Sequence, residues 1–228
     1  MVAEGGDEMR LSALFTKCLT RRYENTAGEV SYAIELDGKT AFVYFEASRG
    51  SMDWRRNLSF PARAYGPRIG GGYAHQGFLS AWRAVRPTVI ERLTAAAPTA
   101  IVTVGYSHGA AIAALCHEYL YSRRTVPHAS LYGYGFASPR VLWGRVDQTR
   151  WWGFTVIRNL DDLVTHLPPK VLGFRHVGRL LEIGERGRYG RLEAHTPEAM
   201  QRELLRYEAG GGGLQSPEGC AIMNTTNR

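Results

Sequence analysis

With 228 residues, 44% hydrophobic and 21% charged side chains, the chain has the length of one ordinary α/β domain and enough apolar mass for a core. That excludes an intrinsically disordered chain. The formal net charge is +7, but the basic residues are scattered (Arg55-Arg56, Arg123-Arg124, Arg186, Arg188, Arg191) and read as a solvated surface with a general leaning toward anionic partners, not as a nucleic-acid motif. The three cysteines, Cys18, Cys116 and Cys220, have neither the spacing nor the number for a zinc site or a disulfide framework.

No apolar run approaches the roughly 18 residues of a transmembrane segment. Residues 11–15 are too short for the apolar core of a signal peptide, and Asp7 and Glu8 precede them. The expected compartment is therefore cytoplasmic, with secretion expected if a leader has been removed.

Along the chain, residues 11–23 predict a first helix with Leu11, Leu14, Phe15, Cys18 and Leu19 on one face. Two strands follow, at 30–36 and 40–45, separated by the turn signal Asp37-Gly38. The stretch from Glu46 to Leu58 starts at a strand end and continues into a short helical pattern. Residues 61–72 read as loop, rich in Pro and Gly. A helix is predicted from about Phe78 to Ala97, with Phe78, Leu79, Trp82, Val85, Val89 and Leu93 inward.

Next comes Ile101-Val102-Thr103-Val104-Gly105-Tyr106-Ser107-His108-Gly109-Ala110-Ala111. A β-branched run ends in Gly-x-Ser-x-Gly and passes into small residues, the order of strand, sharp turn and helix that a nucleophile elbow needs. Gly105 and Gly109 flank a turn too tight for a Cβ, and Ser107 is read as an esterase-type nucleophile. The helix from about 108 to 122 carries Ile112, Leu115, Cys116 as a buried thiol, and Leu120.

Strands are predicted at 130–136 and 154–157, and a last hairpin or pair of strands at 174–177 and 180–183. A Gly/Arg-rich loop covers 184–191. The last helix begins near Pro197, with Thr196 as its N-cap. The division is one domain over 1–209 and a Gly-rich flexible tail over 210–228.

Strands alternating with helices, an early hairpin and a serine elbow predict an α/β fold with a mostly parallel central sheet and helices on both faces. Ser48, Ser107 and Asp162 each follow a predicted strand. All three therefore meet at the carboxyl ends of the strands, where such sheets gather their ligands.

Six motifs in order then resemble the lipase class 3 family, the fungal-type lipases of the α/β-hydrolase fold. They are Phe45-Glu46-Ala47-Ser48 followed by Asp53-Trp54; Ala74-His75-Gln76-Gly77-Phe78; Gly105-Tyr106-Ser107-His108-Gly109-Ala110; Phe136-Ala137-Ser138-Pro139-Arg140-Val141; Asp162-Leu163-Val164-Thr165-His166-Leu167-Pro168-Pro169; and Phe174-Arg175-His176-Val177-Gly178. The resemblance runs from about Tyr32 to Tyr207. The chain departs from the family at Tyr106, where His is usual, at His108, where Leu is usual, and at Ala47 and Ala110, where Gly is usual. These changes bear on substrate preference.

The resemblance implies the chain order nucleophile, acid, base. Motif register makes Asp162 the acid and leaves Asp161 a solvated loop carboxylate. Chain position makes His195, just before the last helix, the base; His176 matches a structural motif and is the other candidate. His75 and His117 read as packing histidines.

The N–H groups of His108 and Ser48 are the expected oxyanion donors. The family's lid helix would span 50–58, with Met52, Trp54 and Leu58 as its small apolar face, and Tyr106 beside them toward substrate. Such a lid favours soluble or short- to medium-chain esters. The implied activity is carboxylic ester hydrolysis of the lipase or esterase type, with an ester or lipid as partner, transient contact with a lipid interface, and no cofactor, since a serine triad and an oxyanion hole suffice for acyl transfer. Phospholipase A1 and feruloyl-type aryl esterase activities would use the same triad. A catalytically inactive binding module is the alternative of another class.

Overall fold

The computed structural model describes residues 10–25, 30–46, 62–64 and 72–213. The helices in these segments are α1 (Leu11–Thr20), α2 (Gln76–Ala96), α3 (His108–Arg123) and α4 (Pro197–Ala209). The strands are β1 (Glu24–Asn25), β2 (Ser31–Asp37), β3 (Thr40–Phe45), β4 (Ala62–Ala64), β5 (Tyr73–His75), β6 (Ala100–Tyr106), β7 (Ser130–Phe136), β8 (Leu142–Trp143), β9 (Phe154–Asn159), β10 (Phe174–Arg175) and β11 (Arg179–Ile183).

Seven strands build the main sheet in the order β1-β2-β3-β6-β7-β9-β11. The pairs β1/β2 and β2/β3 are antiparallel, and from β3 to β11 every pairing is parallel. The β2–β3 hairpin closes with Asp37 opposite Thr40. Gly38 takes φ +56° in its turn, a left-handed conformation that favours a residue without a Cβ.

Both faces of this sheet are covered. Ala41, Val43, Phe45, Ile101 and Val156 join α2 and α3 in one core. Tyr44, Val102, Val104, Tyr106, Phe136 and Ile157 join α1 and α4 in the other. The strand period of two sends alternate side chains into opposite cores, which is why these strands read as nearly continuous apolar runs.

The small residues after the elbow do what their size permits. Ala110, Ala111, Ala113 and Ala114 are buried, and α3 lies close over β3, β6 and β7. A Cβ on Gly109 would stand 2.2 Å from the carbonyl oxygen of Phe45, and one on Gly105 would stand 2.2 Å from the carbonyl oxygen of Gly109. His117 is buried as expected. His75 packs its ring on Phe78 and Phe174, with centroids 4.4 and 6.1 Å away.

Three expectations change. The first helix ends at Thr20, because Arg21 turns extended with ψ 146°. The segments 174–177 and 180–183 are not a hairpin. β10 pairs antiparallel with β8, while β11 pairs parallel with β9 on the edge of the main sheet. Gly178 makes the switch at φ +71°, packed so closely that a Cβ would meet the Phe154 carbonyl oxygen at 2.1 Å. Part of the expected loop at 61–72 is strand: β4 joins β5, β8 and β10 in a small antiparallel sheet. No helix of the described residues is long and apolar enough to cross a membrane.

Gly109→Ala is expected to lower stability by about 1–3 kcal/mol through overpacking against β3. The measurement is a fall in the denaturant midpoint at unchanged m-value.

Candidate active site

Strand β6 delivers Ser107 to the carboxyl edge of the sheet. Its backbone is held at φ 55°, ψ −119°, a conformation that costs a non-glycine residue about 1–3 kcal/mol and persists only where its surroundings enforce it. The enforcement is visible. Ser107 donates its N–H to the Phe136 carbonyl at 2.9 Å, and its own carbonyl accepts from the amides of Ala110 and Ala111 at 3.1 and 3.4 Å. The hydroxyl is thereby fixed at the mouth of α3, 2.8 Å from Nε2 of His195.

His195 lies in a 3-10 turn, Glu193–His195, immediately before α4. Thr196 caps α4 by accepting from the amide of Ala199, with Pro197 in the first turn. Nδ1 of His195 stands 2.8 Å from Oδ2 of Asp162. Asp162 has no solvent exposure. Its other carboxylate oxygen accepts from the Val164 amide at 2.8 Å, and its carbonyl accepts from the Thr165 hydroxyl at 2.8 Å. A buried carboxylate is costly unless its oxygens meet such partners. With Asp162 on Nδ1, the imidazole carries its proton there and presents Nε2 as an acceptor to Ser107.

Asp161 stays at the surface as a loop carboxylate, and it also has backbone partners. Its two oxygens accept from the amides of Gly187 and Tyr189 at 3.0 and 3.2 Å, and those bonds hold its carboxyl below the ordinary range. It pins the loop that leads to His195. Glu203 of α4 pins the same loop through the Tyr189 hydroxyl at 2.8 Å and through Arg188 at 3.4 Å.

His176 stands apart from the chain formed by Ser107, His195 and Asp162. Its Nε2 lies 2.7 Å from the Thr165 carbonyl oxygen. Burial, reinforced by Arg140, pushes its pKa down to about 4.

Two departures from the family pattern are placed by the fold. Tyr106 is buried on the face of α1 and α4, not toward an open pocket. Its ring stacks on His195 at 5.5 Å and 24°, and meets Phe15 edge-on at 5.4 Å. Its hydroxyl donates to the His195 carbonyl oxygen.

His108 is the first residue of α3, where an amide has no partner within the helix and the helix dipole is positive. Its ring packs on Phe78 at 5.5 Å. Burial, with His75 beside it, lowers its pKa to about 4, so it is neutral at pH 7.

Ser48, Met52, Trp54 and Leu58 lie outside the described residues. Arg140 was not singled out from sequence as part of the site. It braces the acid loop by donating to the carbonyl oxygens of His166 and Pro168. The signal for it was its place in the Pro139-Arg140 motif.

A family model described as Lipase (class 3) matches residues 42–172, more than half of the chain. A lipase of Rhizomucor miehei is 30% identical over 151 residues, which are 61% of this chain and 40% of that protein. The secreted mono- and diacylglycerol lipase 1 of Fusarium solani is 36% identical over 140 residues, 56% of this chain and 40% of that protein. The chain thus spans about two fifths of the length of these curated relatives.

Among solved structures, a triacylglycerol lipase whose catalytic centre is described as a serine protease triad superposes with a TM-score of 0.63 at 26% identity, covering 72% of this chain and 66% of that one. The parallel sheet with helices on both faces and the serine at its carboxyl edge is the α/β-hydrolase fold. With that architecture and a family match over residues 42–172, the chain belongs to the lipase class 3 family.

Proposed function

We propose that the chain is a carboxylic ester hydrolase acting on lipid esters, with Ser107 as nucleophile, His195 as base and Asp162 as the group that orients the base. The observation that carries this reading is the continuous hydrogen-bond chain from Ser107 Oγ through both ring nitrogens of His195 to Asp162, each link 2.8 Å long. A binding module on this fold has no need of three groups in such register. The relatives named as lipases support the same chemistry, as does the solved lipase with a serine protease triad.

In this mechanism Ser107 Oγ attacks the ester carbonyl carbon while Nε2 of His195 takes the hydroxyl proton. The imidazolium so formed is stabilised by the Asp162 carboxylate. The carbonyl oxygen becomes an oxyanion. The His108 amide at the start of α3 donates to it, and the Ser48 amide and hydroxyl are the expected second donors. Collapse expels the alcohol, protonated by His195, and leaves an acyl group on Ser107. Water, deprotonated by the same imidazole, releases the acid.

Tyr106 serves this cycle as a positioning residue. Its ring and hydroxyl hold the backbone of His195 so that Nε2 stays within reach of Ser107. A preference for short- to medium-chain esters rests on the composition of the stretch where the resemblance implies a lid, Met52, Trp54 and Leu58 beside Arg55 and Arg56. Transient contact with a lipid interface accompanies the lipid-ester reading. The cytoplasmic expectation finds no support among the relatives, one of which is named a secreted lipase; an extracellular role is the better reading.

Ser107→Ala is expected to reduce kcat for p-nitrophenyl esters by a factor on the order of 10⁶, while circular dichroism shows an unchanged fold. Asp162→Asn should lower kcat by about 10⁴, whereas Asp161→Asn should cost stability and leave kcat close to wild type; equal losses in kcat would remove the acid assignment. Tyr106→Phe keeps the stacked ring and removes the hydroxyl bond. It should lower kcat by on the order of 10-fold or more with KM unchanged, because a small misplacement of the base costs rate, not binding.

A further inference from the structure

A cavity of about 430 Å³ opens beside the acid loop, lined by Leu160, Asp161, Leu163, His166, Arg186 and Arg191. Its walls are the two arms of the site. Leu160, Asp161, Leu163 and His166 bracket Asp162 in sequence, and Arg186 and Arg191 belong to the loop that ends at His195. The arms are tied together by the Leu163 amide, which donates to the Arg191 carbonyl at 3.2 Å, and the second arm continues into the turn through the Ala194 amide on the Gly190 carbonyl at 2.9 Å.

The charges around this cavity do not balance. Arg188, between the two lining arginines, is taken by Glu185 at 2.6 Å and by Glu203 at 3.4 Å. The Asp161 carboxylate is held by the Gly187 and Tyr189 amides, with the Arg186 charge the least of the influences on it. Arg186 and Arg191 make no ion pair among the described residues and are exposed. His166 registers the resulting field: burial lowers its pKa first, and Arg158, Arg140 and Arg191 lower it further, against the opposing pull of Asp162. Arg158 already has Glu182, and Arg140 already serves the carbonyls of the acid loop.

Two guanidiniums at one concave site, neither in an ion pair among the described residues, match the planar oxygens of a carboxylate or a phosphate, which they hold bidentately. Leu160 and Leu163 beside them offer apolar surface to whatever carries that group. Leu192, next to Arg191 and about half exposed, extends that surface along the same loop.

We propose that this cavity binds an anionic oxygen group, carboxylate or phosphate, on Arg186 and Arg191, against the loops that carry Asp162 and His195. The site goes beyond ester hydrolysis, since occupying it needs nothing of Ser107. Two sources carry this chemistry: a lipid-derived anion with an apolar stem, and a free phosphate.

The test is isothermal titration of the full chain with octanoate, octyl phosphate, inorganic phosphate and octanol. Wild type is compared with Ser107→Ala, with the double variant Arg186→Gln/Arg191→Gln, and with Arg179→Gln, an exposed arginine of β11 outside the cavity. Octanoate and octyl phosphate should bind wild type and Ser107→Ala alike, with octanol at least about tenfold weaker. The double variant should lose about tenfold or more, as expected when charge-assisted hydrogen bonds are removed, and Arg179→Gln should bind as wild type does. Inorganic phosphate binding as tightly as octyl phosphate would identify the free anion as the source; much weaker binding would identify the amphiphile. Equal binding of octanol, an unchanged affinity in the double variant, or the same loss in Arg179→Gln would overturn the proposal. Hydrolysis measured on the same proteins keeps the two readings apart, because Ser107→Ala loses turnover and retains the anion.

Discussion

A carboxylate removed from water is tolerated only if its oxygens are met by donors, and the site is arranged around meeting that condition for Asp162. One oxygen takes the Val164 amide and the other takes the imidazole of His195. The first bond curls the acid loop back on itself. The second reaches across 33 residues of sequence to the turn before α4. Because the acid is satisfied only when His195 is in place, the two loops are fixed as a pair. The surrounding contacts reinforce the pairing: Asp161 and Glu203 both hold the intervening loop at Gly187 to Tyr189, and Arg140 donates to the carbonyls on the far side of the acid loop.

Ser107 answers to a different constraint, one of space. Its left-handed backbone is kept by the close approach of α3 to β3 and β6, which only glycine at 105 and 109 allows. Strain in Ser107 and absence of side chains at its flanks are thus one feature seen from two sides. The first turn of α3 then begins at His108, directly beside Ser107, at the positive end of the helix dipole.

Much of this was legible in the sequence, for identifiable reasons. β3 and β7 match the predicted ranges to the residue, because both are β-branched, aromatic or glycine-rich runs bounded by strong turn signals. Ser107, Asp162 and His195 follow from motif register and chain order, and the fold brings their side chains together. What escaped has physical causes. The strands β4, β5, β8 and β10 have two or three residues each, too few for a period of two to show, and so the small sheet was invisible and the partner of the strand at Phe174 was not foreseen. The hold of Asp161 on the following loop was missed because its partners, the Gly187 and Tyr189 amides, are backbone groups that no side-chain pattern announces. Tyr106 was read toward substrate. Strand alternation from the buried Val102 and Val104 would have placed its ring on the opposite face, in the core shared by α1 and α4.

That alternation makes neighbours in sequence answer to different parts of the molecule. Ser107 is shaped by α3 above the sheet, while Tyr106 passes beneath it to the base. Phe15 of α1 stands behind Tyr106 and also packs on Phe136 at 4.9 Å. α1 is latched to α4 by Ser12, whose amide and hydroxyl both donate to Glu208 at 2.8 and 2.6 Å. The imidazole therefore rests on a stack of rings whose foundation is the first described helix. Under the proposed reading, a cavity carved at Phe15 would be heard as a loss of turnover while the fold was still intact, and a helix that touches neither Ser107 nor Asp162 in the described contacts would behave in assays as though it belonged to the site.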